Sequence, residues 1–270
     1  LPLGHSWAIL LIHFMEEVNK FDGRPIGKKD GEAIFERAVK RTHAVYPTVD
    51  RTAIREDLDD MLAILFAVAR GDDPPVELEK LSIRAYGKHM TAPHRMDLMV
   101  SAMTDACGKW QCNQKCIFCY AAGQEMGKTR ELATEQWKQV IDRLEKARVP
   151  MVTFTGGEPP MREDLAELVG YAKKMVTRLN TNGVNLTPEL VKALKAAGLD
   201  SVQVTLYSHD EAVHNALVGS SHFANTIQGI RNAVAAGLDI SINTPLCKKN
   251  ADYGKTLEFI HSLGVRFVTV

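Results

Sequence analysis

A chain of 270 residues, 45% hydrophobic and 24% charged, suits one large domain or one large domain with a small one. Lysine plus arginine and aspartate plus glutamate each total 33, so no net field draws the chain to nucleic acid or to an acidic membrane surface. Apolar runs are short, Met61 to Ala69 being among the longest, whereas a spanning helix needs roughly 20 such residues; no membrane segment is expected.

The start of the chain is partly apolar but has no basic flank and no small-residue cleavage pattern, so a secretory signal is not expected. It begins without methionine and stops inside an apolar run, as a portion of a longer protein would. From Leu1 to about Gly71 the pattern is helical. Trp7, Leu10, Leu11, Phe14 and Val18 recur at helical spacing, and so do Ile54, Leu58, Met61, Leu62, Leu65 and Phe66. Turn signals at Asp22 to Pro25 and at Tyr46-Pro47 divide this region into about three helices, and Asp72-Asp73-Pro74-Pro75 reads as a break. The charge run Arg55 to Asp60 reads as a solvated helix face.

From Asp97 onward, short runs rich in valine, isoleucine, threonine and methionine alternate with amphipathic stretches. Strands are predicted at 97–104, 150–155, 175–180, 201–206, 239–244 and 265–270. Thr134 is a predicted N-cap, followed by Trp137, Val140, Ile141 and Leu144 on one helix face. Thr187-Pro188-Glu189 opens another helix, with proline in the first turn. Ala-Ala-Gly-Leu-Asp occurs at 196–200 and again at 235–239, each time between a predicted helix and a strand, with glycine as the helix stop. The fold class expected is α/β: a partial (β/α)6 TIM-like barrel over 97–270, preceded by a small, mainly helical domain over 1–75 and a linker over 76–96.

Five cysteines stand at 107, 112, 116, 119 and 247. Their odd number and tight clustering argue against a secreted disulfide framework and for a metal site in a reducing, cytoplasmic setting. Cys112, Cys116 and Cys119 form a Cys-x3-Cys-x2-Cys run after the first predicted strand. Three thiolates in a short loop can hold three irons of a cubane and leave the fourth open, whereas a closed zinc site wants four ligands. Buried thiols or zinc remain the competing reading of the cysteines alone. Thr155-Gly156-Gly157-Glu158-Pro159 closes the second predicted strand, where two glycines permit close backbone approach and Glu158 adds a carboxylate. Loops at the carboxyl ends of neighbouring parallel strands share one face, so these two loops should meet.

Together, these two motifs resemble the radical S-adenosylmethionine (SAM) superfamily over about residues 97–270, and in particular its members that carry a SPASM or twitch extension. The resemblance implies a 4Fe-4S cluster on Cys112, Cys116 and Cys119, with Phe118 against the adenine of SAM. It further implies Glu158 and the backbone of Gly156 and Gly157 at the SAM amino group, the Thr181-Asn182-Gly183 turn near the cofactor, and Thr205 towards the ribose. A flavodoxin or ferredoxin electron donor and a peptide or protein substrate are implied with it. This chain departs from such relatives at Val218, where arginine is frequent, and at Tyr207-Ser208, where they carry Asp-Gly. The stretch from Val49 to Leu62 is similar to the last helices of the small peptide-binding domain of pyrroloquinoline quinone biosynthesis; a plain helical cap competes equally with that reading. A small cofactor precursor as substrate and an iron-sulfur protein without turnover are the functional alternatives. Cys107 and Cys247 are expected in the core; His209, His214 and His222 are expected in loops; and the methionines at 90, 96, 99 and 103 are expected to pack.

Overall fold

The computed structural model describes residues 5–21, 24–72, 92–120 and 130–270. The chain divides into two compact units, Leu1–Met90 and Thr91–Val270.

The described part of the first unit contains α1 (His5–Asn19), α2 (Lys28–Val45) and α3 (Arg51–Arg70). Asp50 starts α3 by accepting a hydrogen bond from the Thr52 amide at 2.6 Å, and Gly71 ends it with φ of 79°. Leu10, Ala38, Val39, Ile54, Leu58 and Met61 form the core. The predicted apolar face of α3 turns too far: Ile64 is buried, whereas Leu65 and Phe66 are exposed, because the stripe stays on the one-turn spacing of Ile54, Leu58 and Met61. Glu17, also buried, is met by Lys20, Arg37 and Arg41. Hydrogen bonding from Lys20 first, then from Arg37 and Arg41, holds its carboxyl down near about 2 despite burial. Most of the charge run on α3 is solvated, but Arg55 is half-buried between Glu32 and Glu36 and over the Phe35 ring.

The second unit is a six-stranded parallel sheet in the order β1 to β6, with helices between the strands. The strands are β1 (Arg95–Ser101), β2 (Met151–Gly156), β3 (Val176–Thr181), β4 (Ser201–Thr205), β5 (Asp239–Asn243) and β6 (Phe267–Thr269). The helices are α4 (Thr134–Lys146), α5 (Leu165–Tyr171), α6 (Pro188–Ala197), α7 (Glu211–Val218), α8 (Phe223–Ala235) and α9 (Gly254–Ser262). β1 pairs only with β2 and β6 only with β5, so the sheet is a partial barrel with two edges. β1 begins at Arg95, inside the predicted linker, and ends at Ser101, because Ala102 to Thr104 turn out of the sheet. The remainder of the predicted linker, except residues 92–94, lies outside the described residues.

Side chains alternate along β3, β4 and β5. Val152, Phe154, Leu179, Val202, Val204 and Ile242 are 0% exposed and pack against Ile141, Leu165, Leu168, Val191 and Ile230 of the helices. The opposite, inner face carries Arg178, Asn180, Gln203, Thr205, Ser241 and Asn243, all half-buried. Phe154→Ala removes a fully buried ring from the centre of this layer and is expected to cost about 3–5 kcal/mol of unfolding free energy, measured by denaturant titration.

The repeated Ala-Ala-Gly-Leu-Asp does stop both helices: Gly198 and Gly237 have φ of 91° and 67°. Thr187 caps α6, its hydroxyl accepting from the Leu190 amide at 3.2 Å. The N-cap of α4 is Ala133 rather than Thr134. The side chain of Gln136 reaches back to the Ala133 amide at 2.9 Å, and Thr134 instead donates to Asp164.

Candidate cofactor site

The cysteine loop leaves β1 through a short excursion closed by Asp105, which accepts from the amides of Cys107 and Lys109, and by a bridge between Thr104 and Trp110. The Trp110 indole then donates to the Gln114 carbonyl at 2.8 Å. Beyond it, the loop is strapped to the end of α7. The Lys115 amide donates to the Val218 carbonyl at 2.9 Å, and the Ile117 amide to the Leu217 carbonyl at 3.0 Å. This strap fits only because the next residue is glycine: Gly219 has φ of 61°, and a β-carbon there would stand 2.5 Å from the Lys115 carbonyl oxygen.

A second loop follows β2. Gly156 has φ of 128°, and a β-carbon on Gly157 would meet the Ala102 carbonyl oxygen at 2.5 Å, so the two glycines let β2 run hard against the end of β1. The Gly157 amide donates to the Ser101 carbonyl at 2.7 Å, and the Cys112 sulfur lies 3.4 Å from the Gly157 carbonyl oxygen. The third loop is the turn after β3. Thr181 donates its hydroxyl to Glu158, and the Asn182 amide donates to the other carboxylate oxygen at 2.9 Å. The Asn182 side chain spans to Asn113 in the cysteine loop at 2.6 Å. Three loops from three strands are thereby tied into one wall.

One cavity is lined by Cys112, Cys116, Phe118, Cys119, Gly156, Gly157, Glu158, Asn182 and Thr205. The nine positions that the resemblance assigns to cluster and SAM thus meet around one space. Tyr207, Met103, Asn180, Gln203 and Asn243 line it too, and sequence reasoning did not place them there. For the last three the signal was available, since polar residues alternate with Leu, Val and Ile on β3, β4 and β5.

Burial pushes the Cys112 thiol up to about 12 and the Cys116 thiol up to about 11, with neighbouring thiols and Glu158 adding to the shift. Such thiols become thiolates only beside a compensating cation, the behaviour of metal ligands that shed protons on loading. Among the described residues, no three Cys, His, Asp or Glu side chains converge as they would on a single metal ion. Glu158 is 1% exposed, and burial raises its carboxyl from 4.5 to about 7 against the pull of Thr181 and Asn182. An ammonium group brought beside a carboxyl so desolvated would favour its charged form.

Three expectations need correction. Cys107 is exposed rather than in the core, because its loop is held by Asp105 instead of by packing. Cys247 is half-buried against the cluster of Tyr207, Leu217 and Val218, near Cys116. His214 is not a loop residue: it is 0% exposed in α7, its Nδ1 accepts from the Tyr207 amide at 3.3 Å, and burial lowers it to about 4. It stands edge-on to Tyr207, whose ring stacks on Phe118 with centroids 6.0 Å apart. Val218, at the arginine position of relatives, is fully buried in this cluster. His209 and His222 do lie in loops. Met103 is buried with its sulfur 3.7 Å from that of Cys119, Met96 packs on the core, and Met90 lies outside the described residues.

Comparison with known proteins agrees with this geometry. The family model described as Radical SAM superfamily matches residues 111–260. The chain is 34% identical over 142 residues to the Fe-coproporphyrin III synthase of Methanosarcina barkeri, covering 52% of this chain and 36% of that protein. It is 32% identical over 157 residues to the PqqA peptide cyclase of Streptomyces rochei, covering 57% and 43% respectively. The chain thus spans less than half the length of these curated relatives. Streptococcus suis SuiB bound to its precursor peptide SuiA shares the fold with a TM-score of 0.58 at 14% identity, over 99% of this chain and 56% of that one.

Proposed function

Because the chain belongs to the radical SAM superfamily, we propose that it cleaves SAM reductively and removes a hydrogen atom from a substrate presented as a peptide or protein. The family's cofactors are a 4Fe-4S cluster and SAM, and the three thiols and the desolvated carboxylate of one cavity fit that pair. The chemistry they supply when bound is electron transfer into the sulfonium of SAM, giving methionine and a 5′-deoxyadenosyl radical.

Cys112, Cys116 and Cys119 would hold the cluster. Glu158, with the backbone of Gly156 and Gly157, would receive the SAM amino group; Phe118 would cover the adenine; and Asn182 and Thr205 would bound the methionine and ribose sides. Val218, buried away from the cavity surface, leaves the SAM carboxylate to other groups. A flavodoxin or ferredoxin would deliver the electron in an oxygen-free, cytoplasmic setting. No helix among the described residues is long and apolar enough to cross a membrane.

The observation that carries the reading is the meeting of three thiols and Glu158 in one cavity. Its test is anaerobic reconstitution with iron and sulfide, followed by SAM and dithionite. Release of 5′-deoxyadenosine is expected, and its absence from cluster-loaded protein would identify an inert scaffold.

The peptide substrate is supported by the likeness to a peptide cyclase and by the fold shared with SuiB, which extends through the helical unit. On this reading residues 1–75 grip a leader segment and the unit from Thr91 to Val270, whose first strand starts at Arg95, forms the catalytic core. The likeness to an Fe-coproporphyrin III synthase favours a second reading, with a small tetrapyrrole as substrate.

Glu158→Gln separates the roles of the carboxylate. The folded value of about 7 lies above the ordinary 4.5, so the stability that Glu158 contributes is complete in acid and is lost as pH rises through 7. At pH 8 the ligand-free variant is therefore expected to melt no lower than the parent. Its SAM affinity, measured by calorimetry, should fall at least about tenfold through loss of a charge-assisted bond.

A further inference from the structure

Beneath the cavity, the inner face of the sheet holds polar groups that the site above does not use. Asn180 lines the cavity, and Arg178, two residues earlier on β3, occupies the next level down on the same face. The Arg178 guanidinium reaches across β4 to Ser241 on β5, Nη2 to Oγ at 3.3 Å. Its Nε is shielded from solvent and has no partner. The same is true of Asn180 Oδ1 and of Thr153 Oγ1, and Thr153 stands directly beside Arg178 in the sheet register. Thr153 itself is 1% exposed.

Among the described residues no carboxylate forms an ion pair with Arg178. On the same face Asp97 pairs with Arg95 at 2.9 Å, and Asp239, level with Arg178 two strands away, makes no ion pair with it. A half-buried guanidinium with an unmet N–H is costly to maintain in a folded chain, as are unmet oxygens on the neighbouring strand positions. A planar acceptor of negative charge, small enough to lie on the strands, takes bonds from the Arg178 Nε–H and the Thr153 hydroxyl, whereas Asn180 Oδ1 accepts only and calls for a donor. Carboxylate is the group whose geometry matches the guanidinium fork.

We propose that the inner face at Arg178, with the Thr153 hydroxyl beside it, is a substrate subsite that anchors a carboxylate group beneath the SAM cavity. This rests on the radical SAM reading and adds a chemical class to its substrate. The carboxylate comes either from an acidic side chain of a peptide or from a propionate of a tetrapyrrole.

The test uses the cluster-loaded chain with SAM, titrated calorimetrically. The probes are terminally blocked alanine pentapeptides with a central glutamate or glutamine, and Fe-coproporphyrin III with its methyl ester. The acid of at least one pair is expected to bind about tenfold more tightly than its neutral partner. Arg178→Gln should erase that preference and Arg178→Lys keep part of it, with SAM affinity and cluster absorbance unchanged in both. Preference for the porphyrin acid alone, lost in Arg178→Gln, upholds the carboxylate subsite and removes the peptide reading. The subsite is overturned if neither acid is preferred by the unmodified protein, if the preference survives in Arg178→Gln, or if that variant loses SAM affinity instead.

Discussion

Replacing Cys112, Cys116 or Cys119 by alanine, one at a time, is expected to abolish cluster assembly and bring 5′-deoxyadenosine release down to background. On the proposed assignment each thiol would be one of three protein ligands to a cubane, and among the described residues no spare donor of that spacing stands by. Burial has raised Cys112 and Cys116 well above the ordinary thiol range, so these sulfurs have no role as free anions that would survive loss of the metal. Cys107→Ala and Cys247→Ala serve as controls. Cys107 is exposed outside the cavity and Cys247 packs behind Tyr207, and both variants should load iron and sulfide like the parent. Iron and sulfide content and visible absorbance provide the measurement. An unaltered cluster spectrum in Cys116→Ala would remove the assignment.

The second large effect comes from a residue that touches no cofactor. Gly219→Ala places a β-carbon 2.5 Å from the Lys115 carbonyl oxygen and forces a left-handed backbone on alanine. The strap between α7 and the cysteine loop must then open. A stability loss of about 2–4 kcal/mol is expected, together with several-fold lower iron loading. Gly198→Ala isolates the backbone cost, since Gly198 also has a left-handed φ but a β-carbon there would meet nothing within 4 Å. It should cost about 1 kcal/mol and leave loading intact. Equal loading by the two variants would show that the strap does not position the thiols.

The contrast between these positions also shows what a sequence makes legible. Strands and helices of the second unit were readable because valine, isoleucine and leucine recur at two distinct periods, and because glycine at 198 and 237 has one physical use, as a helix stop. The cysteine loop and the Gly-Gly-Glu turn were readable because their residue types are scarce and closely spaced. The strap was not, since it joins backbone groups about a hundred residues apart and its trace in the sequence is a single glycine, Gly219. His214 shares a helical face with Leu217 and Val218, but the polar run Ser208-His209-Asp210 that follows β4 reads as loop and hides the start of the helix. Leu65 and Phe66 differ for the opposite reason: apolar type does not dictate burial, since a folded surface retains much apolar area. Ala133, a poor N-cap by type, was invisible because Gln136 supplies the bond that its own side chain lacks.

The alternation along β3, β4 and β5 ties two properties that could otherwise vary separately. Leu179, Val202 and Ile242 point to the helices, while Arg178, Asn180 and Gln203 point inward. Sliding any one of these strands by a single residue would turn its charged or amide groups into hydrocarbon and strip the layer beneath of its filling. Mutational wandering in the inner row can therefore change what is recognised only by exchanging side chains in place. An insertion or deletion within a strand would dismantle the scaffold before it could retune the chemistry.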